Sequence, residues 1–208
     1  MKTFVLTSCS LLFAGALSAQ EVSPFTFNVG GGFTQSVGST GHYLDNGWNV
    51  QAGAGWNFSP YVGALVQTQF NDLGINSTTL QNIGYPGGNV HVFTATIDPI
   101  VHLHPRGHWD AYIIGGGGLA HVYQNFTAPT VDTVTGFNPF LGFYTAGIPT
   151  TEVISSTSVN KPGANIGMGL AFGTKWRAKM YAEARWNHVF MNNGQHMDFI
   201  PVTFGVRW

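Results

Sequence analysis

Apolar and polar residues alternate along eight separate stretches of this chain. In a β-strand, successive side chains point to opposite faces, so each stretch predicts a strand with one apolar and one polar face. The alternation is strictest at the last stretch, where the apolar positions are Ile200, Val202, Phe204, Val206 and Trp208. The chain is therefore predicted to be all-β, with strands at residues 25–34, 48–58, 61–70, 91–103, 109–123, 164–173, 179–190 and 198–208.

The two faces of the predicted strands differ in size as well as in polarity. One face carries large apolar and aromatic side chains such as Trp48, Val50 and Trp56, whereas the other carries mainly Gly, Asn, Gln and Thr. An eight-stranded barrel has a narrow interior that such small polar side chains fill. The pattern therefore favours an antiparallel up-and-down transmembrane β-barrel whose apolar face meets lipid. The run from Gly115 to Gly118 blurs the alternation, which points to a β-bulge there.

The connections between the predicted strands differ in length at the two ends of the barrel. Residues 58–60, 104–108 and 173–178 form short turns, whereas residues 35–47, 71–89 and 124–162 form longer connections. Short turns at one end and long loops at the other are typical of outer-membrane barrels. We therefore expect residues 124–162 to form a long external loop, with the shorter loop 191–197 on the same side.

Charged residues make up only 8% of the chain, against roughly 25% in ordinary soluble domains. Asp98, Glu183, Arg185 and Arg207 all lie on the polar face of their strands. An Arg or Lys on the lipid face near mid-membrane would cost about 2–4 kcal/mol, so a barrel requires this placement. Because buried charges need partners, the four are predicted to form an interior network. We favour a filling role for this network over a gated plug.

The first nineteen residues differ from the rest of the chain. Lys2 precedes an apolar stretch from Phe4 to Ala16, and small residues follow, so residues 1–19 are predicted to be a cleaved signal peptide and residues 20–208 the barrel domain. The single cysteine, Cys9, would leave with this segment, which excludes disulfides and thiolate chemistry. No later apolar stretch approaches the roughly 18 residues of a spanning helix. A closed barrel is then the main remaining way to span a membrane.

Histidines supply the only candidate catalytic or metal chemistry. His102, His104 and His108 surround one short turn and could hold a metal, but a polar turn is the simpler interpretation. His188 lies near the end of the penultimate strand, as does the histidine of the His-x-Ser motif in outer-membrane lipid A deacylases. The serine position is Phe190, which has no hydroxyl to activate, and Asp198 is the one candidate acidic partner. No catalytic residue, metal or cofactor is therefore predicted.

Five large apolar residues cluster in the predicted external loop. Such a cluster in an exposed segment often marks an interaction site. It could contact lipid, an external ligand or the rim of the barrel itself, and the sequence leaves these alternatives open. The net charge of −1 gives no electrostatic basis for binding nucleic acid. The residues of this candidate interaction patch are Phe137, Phe140, Leu141, Phe143 and Tyr144.

From about residue 21 to residue 208, the chain resembles the eight-stranded outer-membrane β-barrel family and is similar to the transmembrane domain of outer membrane protein A. The resemblance rests on the strand count and on three stretches: Phe93 to Ile100 before a short turn, Tyr112 to Gly118, and Phe199 to Trp208. Members of this family end on an aromatic residue, usually Phe, so Trp208 is a mild departure. The resemblance implies export to a bacterial outer membrane.

The resemblance also implies a role for the last strand. Family members use it as the signal that the barrel assembly machinery recognises, and it then closes the barrel against the first strand. An exposed, alternating edge strand is physically suited to strand addition. The assembly signal would consist of Ile200, Val202, Phe204, Val206 and Trp208.

Several functions are compatible with these observations. The first hypothesis is a non-enzymatic structural or surface-interaction barrel, with outer-membrane lipids and the assembly machinery as partners and an unidentified external ligand. The alternative is a small pore or transport barrel, because the glycine-rich strands leave space inside. A lipid-modifying enzyme is a remote alternative, and a secreted soluble sandwich conflicts with the low charge. The fold itself does not decide among them, because it hosts many functions.

Overall fold

The computed structural model describes residues 24–105, 107–173 and 178–208. The predicted signal peptide, residues 1–19, lies outside the described residues, and so do residues 174–177 of the third short turn. No helix in the described part of the chain is long and apolar enough to cross a membrane.

Eight antiparallel strands form one closed barrel in which each strand pairs with the next along the chain. The last strand pairs with the first, from Asn28↔Arg207 to Ser36↔Phe199. This confirms the predicted up-and-down barrel. The strands are β1 (Phe25–Ser36), β2 (Leu44–Asn57), β3 (Val62–Ile75), β4 (Gly87–His102), β5 (Trp109–Asn138), β6 (Gly142–Gly173), β7 (Lys179–Phe190) and β8 (His196–Arg207).

The outer surface of the barrel is apolar and carries aromatic residues at both ends. On β4, for example, Ile97 is 63% exposed while the adjacent Asp98 is fully buried. Aromatic girdles at two levels are typical of barrels that span a membrane. They comprise Phe25, Trp56, Trp109, Phe172 and Trp208 at the short-turn end, and Phe33, Trp48, Trp186 and Phe190 at the end of the long connections.

The interior is filled in three layers. A polar layer at mid-height contains Asp98, Glu183 and Arg185, and Arg207 adjoins it on the short-turn side; all four are buried. An apolar cluster around Leu65, Ile100 and Tyr112 lies nearer the short turns. The third layer is apolar and lies toward the long connections, and it was not predicted from the small polar residues of the interior face. Its buried members are Leu73, Ile75, Val90, Val92, Ala120, Val122, Val189, Met197 and Phe199.

The prediction of a long loop at residues 124–162 is wrong, because nearly all of these residues belong to two paired strands. Strands β5 and β6 continue past the barrel rim as a two-stranded ribbon, paired from Thr127↔Val153 to Asn138↔Gly142. Thr and Val are frequent here, and β-branched residues favour extended backbone even without strict alternation. The strands reverse at a tight turn, where Gly142 adopts a φ of 77° that favours glycine. We call residues 127–153 the ribbon.

Two smaller predictions also change. The connection predicted at residues 71–89 contains a short helix, α1 (Ser77–Ile83), capped by the Asn76 side chain at its first turn and ended by Gly84 at φ 77°. The bulge expected at Gly115–Gly118 is absent, because pairing with β4 and β6 keeps one register through these glycines. The register shifts instead between Phe126 and Thr127 and between Leu44 and Gly47.

The interior-facing glycines of β5, Gly116 and Gly118, allow the backbone of β4 to approach closely. A Cβ atom built on Gly116, which faces the interior, would overlap the Ile97 carbonyl oxygen and lie 2.5 Å from Asp98 Oδ1. The same atom on Gly117, which faces outward, would meet only the Gly163 carbonyl oxygen, at 3.3 Å. The close approach of β4 and its Asp98 side chain therefore limits side-chain size at residue 116 more than at residue 117.

We therefore expect Gly116→Ala to lower the free energy of unfolding by about 1–3 kcal/mol, the usual cost of overpacking. Gly117→Ala is the matched control, and it should change this free energy by less than about 0.5 kcal/mol. Urea unfolding of protein refolded into lipid vesicles measures both. Equal effects of the two substitutions would contradict the assigned faces of β5.

Candidate functional site

The polar layer inside the barrel is organised by Arg185. Its NH1 group donates a hydrogen bond to Asp98 Oδ2 at 2.8 Å, and its Nε–H donates to Glu183 Oε1 at 2.6 Å. Its remaining terminal nitrogen donates to the Gln67 side-chain oxygen. One guanidinium thus joins two carboxylates and an amide from β3, β4 and β7 across the barrel.

Strand geometry brings these groups together. Glu183 and Arg185 are two residues apart on β7, so both side chains point inward. Their neighbours on β6 are Gly169 and Gly167, which leave space for large interior side chains. This explains why charged residues of β7 and glycines of β6 occur at matching positions in the sequence.

The carboxylates of Glu183 and Asp98 also accept hydrogen bonds from neutral side chains. Tyr112 donates its hydroxyl to Glu183 Oε2 at 2.8 Å, and Gln51 approaches Oε1 at 3.4 Å. Asp98 accepts from Asn165 Nδ2 at 2.8 Å and from its neighbour Thr96 Oγ1 at 2.7 Å. Buried charges are tolerated when they are paired and hydrogen-bonded in this way. The parity of the strands identifies the charged members, but not these neutral partners.

Arg207 is the fourth charged residue, and it lies on the short-turn side of this network. Its NH2 group is 3.6 Å from Glu183 Oε2. Its guanidinium lies over the rings of Tyr112 and Tyr181, at 4.5 and 5.1 Å from their centroids. The structure therefore brings together all four predicted charged residues. Two are basic and two are acidic, so their formal charges sum to zero.

The histidines around the second short turn contact other side chains. His102 Nδ1 lies 2.5 Å from Asp110 Oδ2, while the His104 ring stacks on Trp109 at 5.4 Å. Among the described residues, no group of three His, Cys, Asp or Glu side chains is placed to hold a metal ion.

A second histidine–carboxylate pair lies at the other end of the barrel. His188 Nδ1 is 2.6 Å from Asp198 Oδ1, and His196 Nε2 is 3.3 Å from Asp198 Oδ2. The ring of Phe190, at the position where lipid A deacylases carry serine, packs edge-on against His188 at 4.6 Å. An apolar ring thus stands beside the histidine in place of a hydroxyl nucleophile.

The predicted interaction patch lies at the tip of the ribbon. Phe140 is 94% exposed, Phe143 80% and Leu141 79%. Phe137 packs on Phe143 across the two strands, with ring centroids 5.1 Å apart, whereas Tyr144 turns back over Gly136. The structure therefore places all five patch residues at the tip, and three of them are largely exposed.

The tip turn is held by local hydrogen bonds. Asn138 Oδ1 accepts from the backbone N–H groups of Phe140 and Leu141, at 2.9 and 3.3 Å. No charged residue lies between Asp132 and Glu152. Twelve residues at about 3.3 Å each place the tip roughly 40 Å beyond the base of the ribbon. The ribbon is thus a long arm with an uncharged, apolar end.

The residues predicted as an assembly signal lie on the outer face of β8. Phe204 is 54% exposed and Trp208 52% exposed, while Val206, Val202 and Ile200 continue the same face. Trp208 exchanges two backbone hydrogen bonds with Phe27, at 2.8 and 2.9 Å, and their rings stack 6.2 Å apart. The last residue of the chain is therefore part of the seam that closes the barrel.

Comparisons with known proteins agree with this architecture. No protein-family model matches the chain, and no curated protein matches it. Among solved structures, it is similar to Neisserial surface protein A, with 12% identity, a TM-score of 0.57, and coverage of 89% of this chain and 96% of the other. A major outer membrane protein from Thermus thermophilus has 10% identity and a TM-score of 0.58, with 88% and 97% covered.

The attachment invasion locus protein of Yersinia pestis, solved with the heparin analogue sucrose octasulfate, is also similar. It has 14% identity and a TM-score of 0.51, with 88% of this chain and 97% of the other covered. At such identities the likeness concerns the fold. The chain therefore has the fold of the eight-stranded outer-membrane β-barrels.

The interior network yields a direct test. Arg185→Gln should lower the free energy of unfolding by about 3–5 kcal/mol, because it leaves the buried carboxylates of Asp98 and Glu183 without their shared cation. Adding Asp98→Asn should restore part of the loss, since one uncompensated charge is then removed. Urea unfolding in lipid vesicles measures all three proteins.

Lys161→Gln, which removes a positive charge from the long-connection end of the barrel, is the control. It should change the free energy of unfolding by less than about 1 kcal/mol, as is usual for partly exposed charges. A loss for Arg185→Gln no larger than that for Lys161→Gln would contradict the proposed importance of the network.

Proposed function

We propose that this protein is a non-enzymatic barrel of a bacterial outer membrane, with a structural or surface-interaction role in which the barrel anchors the ribbon. The observation that carries this proposal is the ribbon itself, an arm of about 40 Å whose tip exposes large apolar side chains. Its long connections would face outward and its short turns the periplasm, as is typical of this fold. The external partner would contact the ribbon tip.

The filled interior supports an anchoring role over transport. The polar network joins side chains of several strands at mid-height. The apolar layer on its long-connection side has Leu73, Val92 and Phe199 fully buried. Buried apolar side chains leave little room for a continuous water path. The small pore remains the alternative, and single-channel conductance above background in planar bilayers would favour it.

The side chain beside His188 supports a non-enzymatic role. Phe190 occupies the place at which a serine would act, and its ring packs against the imidazole. Activation of a hydroxyl by histidine requires the two groups within hydrogen-bonding distance. His188 and Asp198 are therefore proposed to stabilise the β7–β8 connection through their 2.6 Å contact.

Exposed apolar side chains at the tip supply the energy for an interaction. Burying a side chain such as Phe or Leu contributes about 1.5–3 kcal/mol, and Phe140, Leu141 and Phe143 are all more than three-quarters exposed. The tip is uncharged and exposes large apolar side chains, so it suits insertion into an apolar surface better than recognition of a charged ligand. The surface of a second lipid membrane, facing the ribbon tip, is an apolar partner of this kind.

We expect proteoliposomes carrying the native protein to bind protein-free phosphatidylcholine vesicles, because the tip can insert there. Replacement of Phe137, Phe140, Leu141 and Phe143 by Ser should reduce the bound fraction at least about tenfold, because a tenfold loss corresponds to only about 1.4 kcal/mol, less than the burial of one Phe contributes. Vesicle flotation measures the bound fraction.

The control for this experiment replaces Val131 and Val153, apolar residues halfway along the ribbon and at its base, by Ser. Both are at least half exposed, so the substitution changes the polarity of the ribbon but not its tip. Equal binding by the tip variant, the control and the native protein would show that the tip does not bind lipid.

We also propose that the outer face of β8 is the signal recognised by the barrel assembly machinery, and that membrane lipids contact the apolar belt. Trp208→Ala should reduce the fraction of protein assembled in the outer membrane of cells. Refolding of the same variant into detergent should be nearly normal, because only one lipid-facing side chain is lost. Gel mobility of unheated membrane samples measures the assembled fraction.

Trp56→Ala is the matched control, since Trp56 is 45% exposed and lies in the same girdle as Trp208, which is 52% exposed. It should assemble normally in cells. If both variants assemble equally well in cells, Trp208 is not part of the assembly signal. If Trp208→Ala also fails to refold in detergent, Trp208 acts through the stability of the barrel instead.

A further inference from the structure

A cavity of about 710 Å³ opens at the short-turn end of the barrel. Its wall combines charged and polar groups from Thr26, His102, Asp110, Lys179 and Arg207 with apolar groups such as Leu65, Ile100 and Trp208. We call it the mouth cavity. Its volume lies within the range of roughly 300–1,000 Å³ that is typical of small-molecule sites.

Arg207 is buried in this wall without hydrogen bonds. It is 6% exposed, and none of its Nε, NH1 and NH2 atoms has a hydrogen-bond partner in the described structure. Its nearest carboxylate oxygen, Glu183 Oε2, lies 3.6 Å away and already accepts from Tyr112. A guanidinium carries five N–H donors, and leaving buried donors unmet is costly.

The environment of Arg207 fixes how a ligand can approach it. The guanidinium carbon lies over the rings of Tyr112 and Tyr181, 4.5 and 5.1 Å from their centroids. The N–H donors lie in the plane of the guanidinium group, so a ligand that accepts hydrogen bonds from them must approach its edge. A planar edge of parallel donors fits the oxygens of a carboxylate or phosphate.

The other charged side chains of the mouth cavity favour an anion. Lys179 is paired with Arg207 in the β7–β8 register, so the two cations lie on adjacent strands. Among the described residues of the wall, Asp110 is the one with a carboxylate side chain, and it is engaged by His102 at 2.5 Å and by the His104 backbone N–H at 3.2 Å. In the part of the wall that the structure describes, Lys179 and Arg207 are the two side chains with a permanent positive charge.

We propose that the mouth cavity binds a small oxyanion, a phosphate or carboxylate, between the edge of Arg207 and the ammonium group of Lys179. The apolar part of the wall, which includes Leu65, Ile100 and Trp208, suits an anion that carries an apolar group. An organic phosphate free in solution and the headgroup of an anionic lipid share this chemistry. The site lies at the opposite end of the molecule from the ribbon, so the proposal does not depend on what the ribbon binds.

Titration calorimetry of the full-length protein, refolded in a non-ionic detergent, tests the proposal. Inorganic phosphate should bind with a 1:1 stoichiometry, and phenyl phosphate should bind more tightly because its ring contacts the apolar wall. Tight binding of phenyl phosphate without detectable binding of short-chain phosphatidic acid would identify a soluble ligand. The reverse order would identify a lipid headgroup.

Variants distinguish a specific site from general attraction of anions. Lys179→Gln should weaken phosphate binding at least about tenfold. Arg207→Lys, which keeps the charge but loses the planar edge, should also weaken it. Lys161→Gln removes the same charge at the other end of the barrel and should leave the affinity unchanged.

Three outcomes would overturn the proposal. The first is the absence of saturable binding of either phosphate up to about 10 mM, well above a millimolar Kd. The second is equal weakening by Lys179→Gln and Lys161→Gln. The third is unchanged affinity in Lys179→Gln when unheated gel mobility shows that the variant has a native barrel.

Discussion

The confinement of charge to the barrel interior is the constraint on which the rest of this structure depends. A lipid-facing charge is costly, so Asp98, Glu183, Arg185 and Arg207 lie inside a space just wide enough for side chains to fill. There they are stable only as a paired set, and Arg185 supplies the central contacts at 2.6 and 2.8 Å. The glycines of β5 and β6 are a consequence of this crowding, since they free the volume that the network occupies.

The barrel and the ribbon are built from the same two strands. Strands β5 and β6 form part of the barrel wall and then continue past the rim as the ribbon. They stay paired throughout, with one shift of register between Phe126 and Thr127. An isolated two-stranded ribbon is marginally stable in water, so its anchorage in a well-packed barrel matters. The molecule therefore divides into a closed barrel, a ribbon with an apolar tip at one end, and a cavity lined by charged and apolar side chains at the other end.

Strand number, side-chain faces and the burial of the four charges follow from the alternation in the sequence, because a period of two residues fixes which side chains share a face. The neutral partners Gln67, Tyr112 and Asn165 do not follow, since cross-barrel contacts depend on strand register and tilt. The apolar layer around Phe199 and the ribbon were missed for another reason. Interior Leu and Val resemble lipid-facing residues, and Thr-rich strands without alternation resemble loops.

The central claim is that the chain forms a closed barrel with its apolar face toward lipid. Gel mobility in sodium dodecyl sulfate, compared between heated and unheated samples of detergent-refolded protein, tests this most directly. A closed barrel resists the detergent until it is heated, so the unheated protein should migrate as a separate band that heating converts to the unfolded position. A single band under both conditions, from protein that stays soluble without detergent, would contradict the lipid-facing assignment of every strand.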